Sequence, residues 1–366
     1  MEKKALIAMS GGVDSSVAAL LCQQAGFDCM GVTLKLYDNE DAGLPREKTC
    51  CSVDDVADAR SVAFRLGMPF YVFNFKEACR REVMDRFVQA YERGETPNPC
   101  VDCNRYIKFE KLMRRGEEIG YPYVATGHYA RVDQDPETGR WLLKKGLDES
   151  KDQSYMLYSL TQWELSRLLL PLGELTKDQV RQLAEEHDFI NARKRDSQDI
   201  CFVPDGDYAA FIRRWESRRE DPKDFPPGEF VGTEGQVYGE HKGIIHYTVG
   251  QRKGLGLSFP QPMYVCKIDP QNNQVVLGKQ EELMAREAVA GDINLISVET
   301  LDQPMRMKAR VRYRQKEQPA TAYQIGPDRL KVVFDEPQRA ITPGQSLVLY
   351  DGDVVVGGGK ILPEGE

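Results

Sequence analysis

The chain has 366 residues, of which 49 are Lys or Arg and 57 are Asp or Glu, and its net charge is −8. This length predicts two or three domains, and the negative charge counts only weakly against a nucleic-acid partner, because binding depends on local clusters of Lys and Arg. No run approaches the roughly 18 consecutive apolar residues of a membrane span, and Gly11 and Gly12 end the first apolar run too early for a signal peptide. We therefore expect a soluble, cytoplasmic protein with no membrane partner.

The first part of the chain alternates short apolar strands with helices. Strands are predicted at residues 4–9, 29–36, 70–75 and 123–126, and helices at residues 13–24, 54–66, 77–93 and 109–119. A further helix begins at Thr176, and Gln179 completes its capping box. Strands that alternate with helices predict a parallel sheet with helices on both faces, so residues 1–205 are expected to form an α/β domain.

The character of the sequence changes after about residue 205, where Gly, Pro, Val, Tyr and Thr become dense and helical periodicity fades. Residues 225–228 read Phe-Pro-Pro-Gly, which is typical of a linker or a turn. The prediction is a small β-rich central domain at residues 206–282, followed by an all-β domain at residues 283–366 that forms a barrel or a sandwich.

A loop rich in Gly and Ser joins the first predicted strand to the first predicted helix. It reads Ser-Gly-Gly-Val-Asp-Ser-Ser from Ser10 to Ser16. Two glycines let the backbone approach a phosphate closely, and the following helix N-terminus favours an anion. The loop lacks the Gly-Lys-Ser/Thr ending of a Walker A loop and the dinucleotide fingerprint. It resembles the SGGxDS loop of the ATP pyrophosphatases, which cleave ATP between the α and β phosphates.

Cysteines form a second signal. The nine in the chain are an odd number and widely spread, unlike a secreted disulfide scaffold. Cys100 and Cys103 follow Pro97 and Pro99, which predict an extended loop, and Cys201 lies much later. Three chemistries use such residues. Structural zinc would need two more ligands. Persulfide transfer would need a carrier thiol and a resolving thiol that pair through a disulfide bond. An iron–sulfur cluster would be held by three cysteines.

A run of alternating cations occupies residues 305–316. Because a strand has a period of two, six cations would share one face: Arg306, Lys308, Arg310, Arg312, Arg314 and Lys316. Phosphate is the natural counter-ion for such a face, so the run predicts nucleic-acid binding. The alternative is a solvated sheet face whose neighbouring strand carries acids.

Together these motifs resemble the tRNA-specific 2-thiouridylase family within the ATP pyrophosphatases. Matching segments span the chain: residues 8–15, 96–104, 107–109, 125–130, 151–155, 197–202, 246–254 and 312–314. The resemblance implies a Rossmann-like ATP pyrophosphatase domain, a small β-rich central domain and a C-terminal β-barrel that contacts tRNA. It also implies ATP-dependent 2-thiolation of the wobble uridine of tRNA by a sulfurtransferase that uses ATP and Mg²⁺ and releases AMP and pyrophosphate. The implied partners are tRNA and a persulfide or sulfide donor protein.

The resemblance also assigns roles to single residues. Cys103 would be the nucleophile at the target base and Cys201 would carry the persulfide. The ATP-binding residues would be Ala8, Met9, Ser10, Gly11, Gly12, Val13, Asp14, Ser15, Leu34 and Gly127. The flipped uracil would meet Asn98, Pro99 and Cys100, and tRNA would meet His128, Lys151, Asp152, Gln153, Arg312, Tyr313 and Gln345.

One departure from the family pattern concerns Cys100, because many members carry Asp at that position. A thiol replaces an acid or base poorly, and it supplies a third thiolate. The alternative sulfur carrier is therefore a [4Fe-4S] cluster held by Cys100, Cys103 and Cys201. Two other functions fit parts of the pattern: a small-molecule adenylating ligase, which needs no Cys-x-x-Cys segment, and a non-catalytic tRNA-binding module with a degenerate ATP loop.

Overall fold

A computed structural model of the chain describes residues 3–43, 53–195 and 200–365. The first part contains seven strands: β1 (Lys4–Ala8), β2 (Asp28–Lys35), β3 (Phe70–Asn74), β4 (Tyr123–Ala125), β5 (Ala130–Gln134), β6 (Trp141–Lys145) and β7 (Leu168–Leu169). Five of them form a parallel sheet in the order β3-β2-β1-β4-β7. The predicted parallel sheet is thus confirmed, with strand bounds within about two residues of those expected.

Helices cover both faces of this sheet. They are α1 (Val13–Gln24), α2 (Asn39–Ala42), α3 (Val53–Arg65), α4 (Lys76–Cys79), α5 (Asp85–Glu92), α6 (Pro99–Asp102), α7 (Leu112–Glu118), α8 (Gln162–Leu165), α9 (Lys177–Glu186) and α10 (Tyr208–Glu216). π-helical segments Arg80–Met84 and Cys103–Lys111 join α4 to α5 and α6 to α7, and 3-10 turns lie at Ser154–Leu157, Ile244–His246 and Gln280–Leu283.

The period of two along β1 explains this layering. Ala5 and Ile7 point into the apolar layer that includes Val17 of α1, whereas Leu6 points into the layer that includes Phe109. All three β1 side chains are fully buried. A strand that is apolar at every position is what a parallel sheet covered on both faces requires.

The predicted loop around the Cys-x-x-Cys segment is wrong, because these residues are helical. Pro99 is the first residue of α6, and Asn98 caps the helix by accepting a hydrogen bond from the Cys100 N–H at 3.2 Å. Proline fits the first helical position because its φ is already helical and its missing N–H has no intrahelical role there. Cys100 and Cys103 therefore lie in the first turns of a helix that continues to Glu118.

The central domain is built on four strands, β8 (Gly228–Gly232), β9 (Val237–His241), β10 (Tyr264–Asp269) and β11 (Gln274–Gly278), in the order β10-β11-β8-β9. A helix that the sequence interpretation missed, α10, precedes this sheet. Its Phe211 and Trp215 belong to the large core that also contains Phe87 and Phe202 of the α/β part. Helical periodicity therefore extends somewhat beyond residue 205.

The last six strands close into a barrel. They are β12 (Met284–Leu295), β13 (Met305–Arg310), β14 (Gln318–Gly326), β15 (Arg329–Arg339), β16 (Ser346–Asp351) and β17 (Val354–Ile361). Their order is β12-β15-β14-β13-β16-β17, and β12 pairs with β17 to close the ring. The barrel alternative is confirmed over the sandwich. The hairpin β5–β6 of the α/β part also pairs with β17, so one sheet crosses the domain boundary.

The predicted cationic strand at residues 305–316 is wrong in extent, because β13 ends at Arg310. Ala309 already pairs with Gln318 of β14, so the chain must turn between them. Arg306 faces Asp335 on β15 in an ion pair, and Arg310 pairs with Glu317 at 2.9 Å. Six cations therefore do not share one face. None of the helices in the described parts of the chain is long and apolar enough to cross a membrane.

Candidate active site at the carboxyl end of the parallel sheet

The phosphate-binding loop leaves the carboxyl end of β1 and enters α1. The Ser15 hydroxyl donates to Gly12 O at 3.0 Å and accepts from the Ser10 N–H at 3.2 Å, while the Ser16 hydroxyl donates to Gly12 O at 3.1 Å. No side chain caps the N-terminus of α1. Its first N–H groups and its positive dipole end therefore point toward the place where a phosphate would lie.

Gly11 sits in the tightest part of this loop. Its φ is +78°, and a Cβ built there would lie 2.4 Å from Asp55 O on α3. Only glycine combines this backbone angle with so close a neighbouring chain.

We expect Gly11→Ala to abolish ATP binding, because the added methyl must push the loop away from Asp55. Gly26→Ala is the matched control: Gly26 has φ +81° but nothing within 4 Å of a built Cβ. The control should cost only about 1 to 2 kcal/mol of left-handed strain and should bind ATP normally. Thermal unfolding and equilibrium ATP binding of both variants test this, and equal ATP affinity in the two would contradict it.

Two lysines form three ion pairs at the loop. Lys177 Nζ of α9 lies 2.7 and 2.8 Å from the carboxylate oxygens of Asp14, and the Tyr129 hydroxyl donates to Asp14 at 2.8 Å. On the other side, Lys194 Nζ lies 2.6 Å from both Asp55 and Asp58. The loop is thus set between two lysines whose charges are balanced by carboxylates.

The segment before Cys201 is hydrogen-bonded to the same loop. The buried Asn191 amide donates to Gly11 O at 3.0 Å and to the Ser16 hydroxyl at 2.9 Å, and Lys194 Nζ lies 3.2 Å from Gly11 O. Asn191 and Lys194 are therefore connected to the phosphate loop.

Leu34 and Gly127, the residues predicted for the adenine side, follow or lie near the carboxyl ends of β2 and β4. Leu34 is near the carboxyl end of β2 and is buried. A Cβ at Gly127 would lie 2.7 Å from the Asp14 carbonyl carbon, so only a residue without a side chain lets the turn after β4 approach α1 so closely. The Thr33 hydroxyl donates to Met9 O at 2.7 Å and ties β2 to the end of β1.

The helix that carries Cys100 and Cys103 is fastened to the 3-10 turn at Ser154–Leu157. The Asn98 amide contacts the Met156 sulfur at 3.3 Å, and the Asn104 amide donates to Met156 O at 3.1 Å. Cys100 is exposed and Cys103 is half-buried, and both are thiols in this structure. Exposure of this kind is what a thiol that meets a substrate requires.

Cys201 is held near the end of β2. The buried Tyr37, two residues beyond β2, donates from its hydroxyl to Cys201 O at 2.6 Å. Cys201 is half-buried, and Phe202 next to it is packed against Phe87 and Phe211. The matching residues 197–199 lie outside the described part of the chain.

The described residues do not fit a metal centre. Among residues 3–43, 53–195 and 200–365, no three His, Cys, Asp or Glu side chains are placed so that they could hold one ion. Cys100, Cys103 and Cys201 are all described, and they are not grouped around a single ion. We therefore derive no step through a cluster.

The turn after β13 is a junction of the three domains. The Arg312 guanidinium donates from one nitrogen to Val249 O at 3.0 Å, to Ala340 O at 3.0 Å and to the Thr342 hydroxyl. The Tyr313 hydroxyl donates to Asp152 O at 3.2 Å. Arg312 and Tyr313, both predicted to contact tRNA, thus connect the barrel to the central domain and to the α/β domain.

Several Arg and Lys side chains lie at this junction, and they form no ion pairs with carboxylates of the described residues. Arg339 donates to Gly250 O at 3.2 Å, and burial together with Arg339 lowers the pKa of Arg312. Arg252, Lys253 and Arg314 flank the junction and are exposed. Within the described ranges none of these cations forms an ion pair with Asp or Glu, although pairs are common elsewhere in the chain. Cations without carboxylate partners attract anions even in a protein of net charge −8.

Comparison with known proteins agrees with this geometry. The model of the family described as "tRNA methyl transferase HUP domain" matches residues 3–205, "tRNA methyl transferase PRC-barrel domain" matches residues 221–279, and "Aminomethyltransferase beta-barrel domain" matches residues 285–361. The chain is 51% identical over 361 residues to the tRNA-specific 2-thiouridylase MnmA of Clostridioides difficile. The match covers 99% of this chain and 98% of that protein. It is 49% identical over 361 residues to the tRNA-specific 2-thiouridylase MnmA of Acetivibrio thermocellus, and this match covers 98% of this chain and 99% of that protein.

The chain belongs to the tRNA-specific 2-thiouridylase family.

For this 2-thiouridylase family member, the structure brings the predicted ATP-site residues together at one end of the sheet. It also adds residues that sequence reasoning missed: Tyr129, Lys177, Asn191 and Lys194. Of these, Tyr129 stood inside a matching segment. Lys177 and Asn191 carried no local signal.

Several residues predicted to contact tRNA form hydrogen bonds within the protein. Asp152 is buried, and its carboxylate accepts from Gly146 N at 3.2 Å and Ser154 N at 3.1 Å. Gln153 accepts from Tyr129 N at 3.0 Å. Burial, with a smaller effect of Lys108, lowers the pKa of His128 to about 3, so its ring is neutral at physiological pH. These side chains shape the surface, and a neutral His128 can hydrogen-bond to RNA without adding charge.

Asp102 separates the two cysteines of this family member and is a further residue that the motif analysis passed over. Burial raises the pKa of its carboxyl from 3.8 to about 6, although Arg86, Lys360 and Arg105 act in the opposite direction. Asp102 places a carboxyl two residues after Cys100 in the same helical turn.

We expect Asp102→Asn to stabilise the fold at neutral pH. The native state holds the Asp102 proton more tightly than the unfolded state, so stability falls as pH rises through the window from 3.8 to about 6. The Asn amide does not ionise, so the variant should not lose this stability as the pH rises. Urea unfolding at pH 4 and pH 8 measures it, and a variant that is no more stable than wild type at pH 8 would count against a raised pKa. Lost thiolation alongside increased stability would mark Asp102 as functional.

Proposed function

We propose that this protein adenylates the C2 oxygen of the wobble uridine of tRNA with ATP and then replaces that oxygen by sulfur. The observation that carries the proposal is a chain of contacts between the phosphate loop and the cysteine helix. The Tyr129 hydroxyl donates to Asp14, and the Tyr129 N–H donates to the Gln153 side chain. The Gln153 carbonyl accepts from the Met156 N–H at 2.9 Å, and the Met156 carbonyl accepts from the Asn104 amide. This chain of contacts supports the proposal that the adenylating and thiol groups act on one substrate.

The ATP-binding half of the site lowers the activation barrier of adenylation by binding the negative charge of the phosphates. The N-terminus of α1 and the loop N–H groups hold the phosphates. Lys194, which pairs with Asp55 and Asp58 and lies 3.2 Å from Gly11 O, helps to fix the position of the loop. Mg²⁺ takes most of its ligands from phosphates and water, and Asp14, the carboxylate of the loop, would supply the protein's ligand. When bound, the ion neutralises the pyrophosphate leaving group.

Adenylation makes a poor leaving oxygen into a good one. The uracil is flipped out of its stack toward Asn98, Pro99 and Cys100. Its O2 attacks the α-phosphorus, a P–O bond forms, and pyrophosphate leaves with the electrons of the broken bond. AMP is then attached to C2 through oxygen and can depart in the next step.

Sulfur transfer uses the two half-buried thiols. The terminal sulfur of a Cys201 persulfide attacks C2, and AMP leaves with the C–O electrons. The Cys103 thiolate then attacks Cys201 Sγ, so that the S–S bond to the substrate breaks and its electrons stay on the 2-thiouridine sulfur. A Cys103–Cys201 disulfide remains, which a thiol reductant must open, and a persulfide donor protein must reload Cys201. We place these steps in the cytoplasm, where thiol reductants are present.

The direct test uses apoprotein purified without oxygen, with ATP, Mg²⁺, tRNA and a persulfide donor. 2-Thiouridine is measured by mass spectrometry of digested tRNA, and pyrophosphate is measured in parallel with and without tRNA. Product in the apoprotein supports the persulfide route. Product only after iron–sulfur reconstitution would overturn it, and pyrophosphate release that ignores tRNA would favour a small-molecule ligase.

We further propose that the junction cluster, defined as Arg252, Lys253, Arg312, Arg314 and Arg339, binds tRNA phosphates. All of these cations except the half-buried Arg312 are exposed, and none pairs with a carboxylate among the described residues. Such cations release counter-ions when phosphate arrives, which is the main sequence-independent source of affinity.

Arg252→Ala/Lys253→Ala is therefore expected to weaken tRNA binding and to reduce the slope of log Kd against log salt by about two. Arg306→Ala/Lys331→Ala is the matched control, because both cations lie on the barrel but pair with Asp335 and Glu287. Filter binding between about 0.05 and 0.2 M salt measures both slopes. Equal slopes in the two double variants would refute a phosphate role for Arg252 and Lys253.

A further inference from the structure

The segment that leads into the cysteine helix is attached to the C-terminal barrel. Thr96 lies between α5 and α6, two residues before Asn98. Its N–H donates to Pro343 O at 2.9 Å, and its carbonyl accepts from Gln345 Nε2 at 2.7 Å. Both backbone polar groups of Thr96 are thus satisfied by the turn between β15 and β16.

Glu95, the residue before Thr96, also contacts the barrel, through an ion pair and through close packing. The Glu95 carboxylate lies 2.6 Å from Lys360 Nζ of β17 and 2.9 Å from Arg93 Nε, and only 9% of its side chain is exposed. Burial alone would raise its pKa, but the bonds from Arg93 and Lys360 hold the pKa of Glu95 below its usual value, so it stays charged. A Cβ at Gly344 would lie 3.0 Å from both Glu95 Cβ and Thr96 N, which excludes any larger residue from the contact.

The barrel also holds the helix beyond the cysteines. Arg105 donates to the two carboxylate oxygens of Asp292 on β12, at 2.6 and 3.0 Å. A bidentate pair of this kind fixes orientation as well as distance. The first turns of the cysteine helix are therefore held by barrel residues on both sides.

We propose that Gln345 is a positioning residue for thiolation: it holds the Thr96 carbonyl so that Asn98 caps α6 and Cys100 and Cys103 keep their places. The activity part of this proposal rests on the proposed function. The family resemblance implies that Gln345 contacts tRNA, and the two roles are compatible. Nε2 is used by Thr96, whereas none of the described residues donates to Oε1, which is left to accept a hydrogen bond from RNA.

The test compares Gln345→Met and Gln345→Glu with wild type in the absence of RNA. Both variants keep the side-chain length, and neither can donate to Thr96 O. Hydrogen exchange of the peptide covering residues 95–103 is expected to speed up roughly three- to tenfold, and the alkylation rates of Cys100 and Cys103 are expected to change. At saturating tRNA the single-turnover thiolation rate should fall about tenfold, while KM for ATP stays constant. Gln318→Met is the matched control, because its amide donates to Lys316 O in the same barrel.

Two outcomes would overturn the proposal. RNA-free exchange and alkylation equal to wild type, with only a higher Kd for tRNA, would leave Gln345 a simple RNA contact. Equal acceleration in Gln318→Met would mean that any barrel substitution loosens the helix. Hydrogen exchange and alkylation do not depend on the reaction, so a failure of thiolation in wild-type protein would refute the proposed function without changing these readouts.

Discussion

Cys103→Ser is expected to abolish 2-thiouridine formation while tRNA still binds. A serine hydroxyl is a far weaker nucleophile than a thiolate and cannot form the disulfide that releases the product. Cys103 is half-buried in the helix that Asn98 caps, so the substitution changes one atom in a fixed frame. The same loss is expected for Cys201→Ser. We expect a decrease in thiolation of at least about 10³-fold in each variant, measured by mass spectrometry of digested tRNA, with an unchanged Kd for tRNA.

The two cysteine variants should differ in what they accumulate. Without Cys103 the reaction stops with tRNA bound to Cys201 through a disulfide, so Cys103→Ser should yield an RNA–protein adduct that a thiol reductant removes. Cys201→Ser should yield none. Cys266→Ser is the control, because Cys266 lies in the central domain and burial raises its pKa to about 11. Full thiolation by either active-site variant would refute the covalent scheme.

Lys177→Met is expected to impair both folding stability and ATP use. The Lys177 side chain is 9% exposed, and its ammonium faces Asp14 inside the phosphate loop. Removing one partner of a mostly buried pair leaves a carboxylate without its cation, which costs about 3 to 5 kcal/mol. The remaining negative charge also lies where the ATP phosphates must bind. Thermal unfolding and equilibrium ATP binding measure the two effects.

A double variant separates charge balance from chemistry. In Lys177→Met/Asp14→Asn the amide still accepts from Tyr129, and no charge is left alone, so most of the stability should return. ATP-dependent pyrophosphate release should stay low, because the loop has lost its acid. A single Lys177→Met variant as stable as wild type would mean that solvent reaches the pair and that the contact contributes little.

Local patterns predicted the first sheet and several helix starts. The apolar run at β1 and the capping box at Thr176 are signals carried by neighbouring residues, and the structure confirms both. The cysteine segment was misjudged because two prolines suggested extension, whereas a proline at the first helical position starts a helix when Asn98 caps it. The cationic run was misjudged because alternation alone does not show where the partner strand begins.

The site was predictable where its residues are adjacent in sequence and not where the chain returns from far away. The loop from Ser10 to Ser15 is visible as a motif. Tyr129 and Lys177 reach Asp14 from 115 and 163 residues away, and no local pattern shows that they contact it. The barrel contacts of Thr96 belong to the same class, since Gln345 lies 249 residues later. Such partners depend on topology, which period and propensity do not encode.

The hairpin β5–β6 has a consequence for how the chain is made. Its partner strand, β17, is synthesised much later: Arg131 of the hairpin bonds to Asp353, 222 positions on. At ribosomal speeds of about 5 to 20 residues per second, the edge of β6 waits roughly 10 to 45 s for its partner. An uncovered edge strand can pair with another nascent chain, and Lys144 and Lys145 on β6 are the kind of residues that discourage this. Replacing them with Thr should therefore increase aggregation during synthesis more than it lowers the stability of the finished protein.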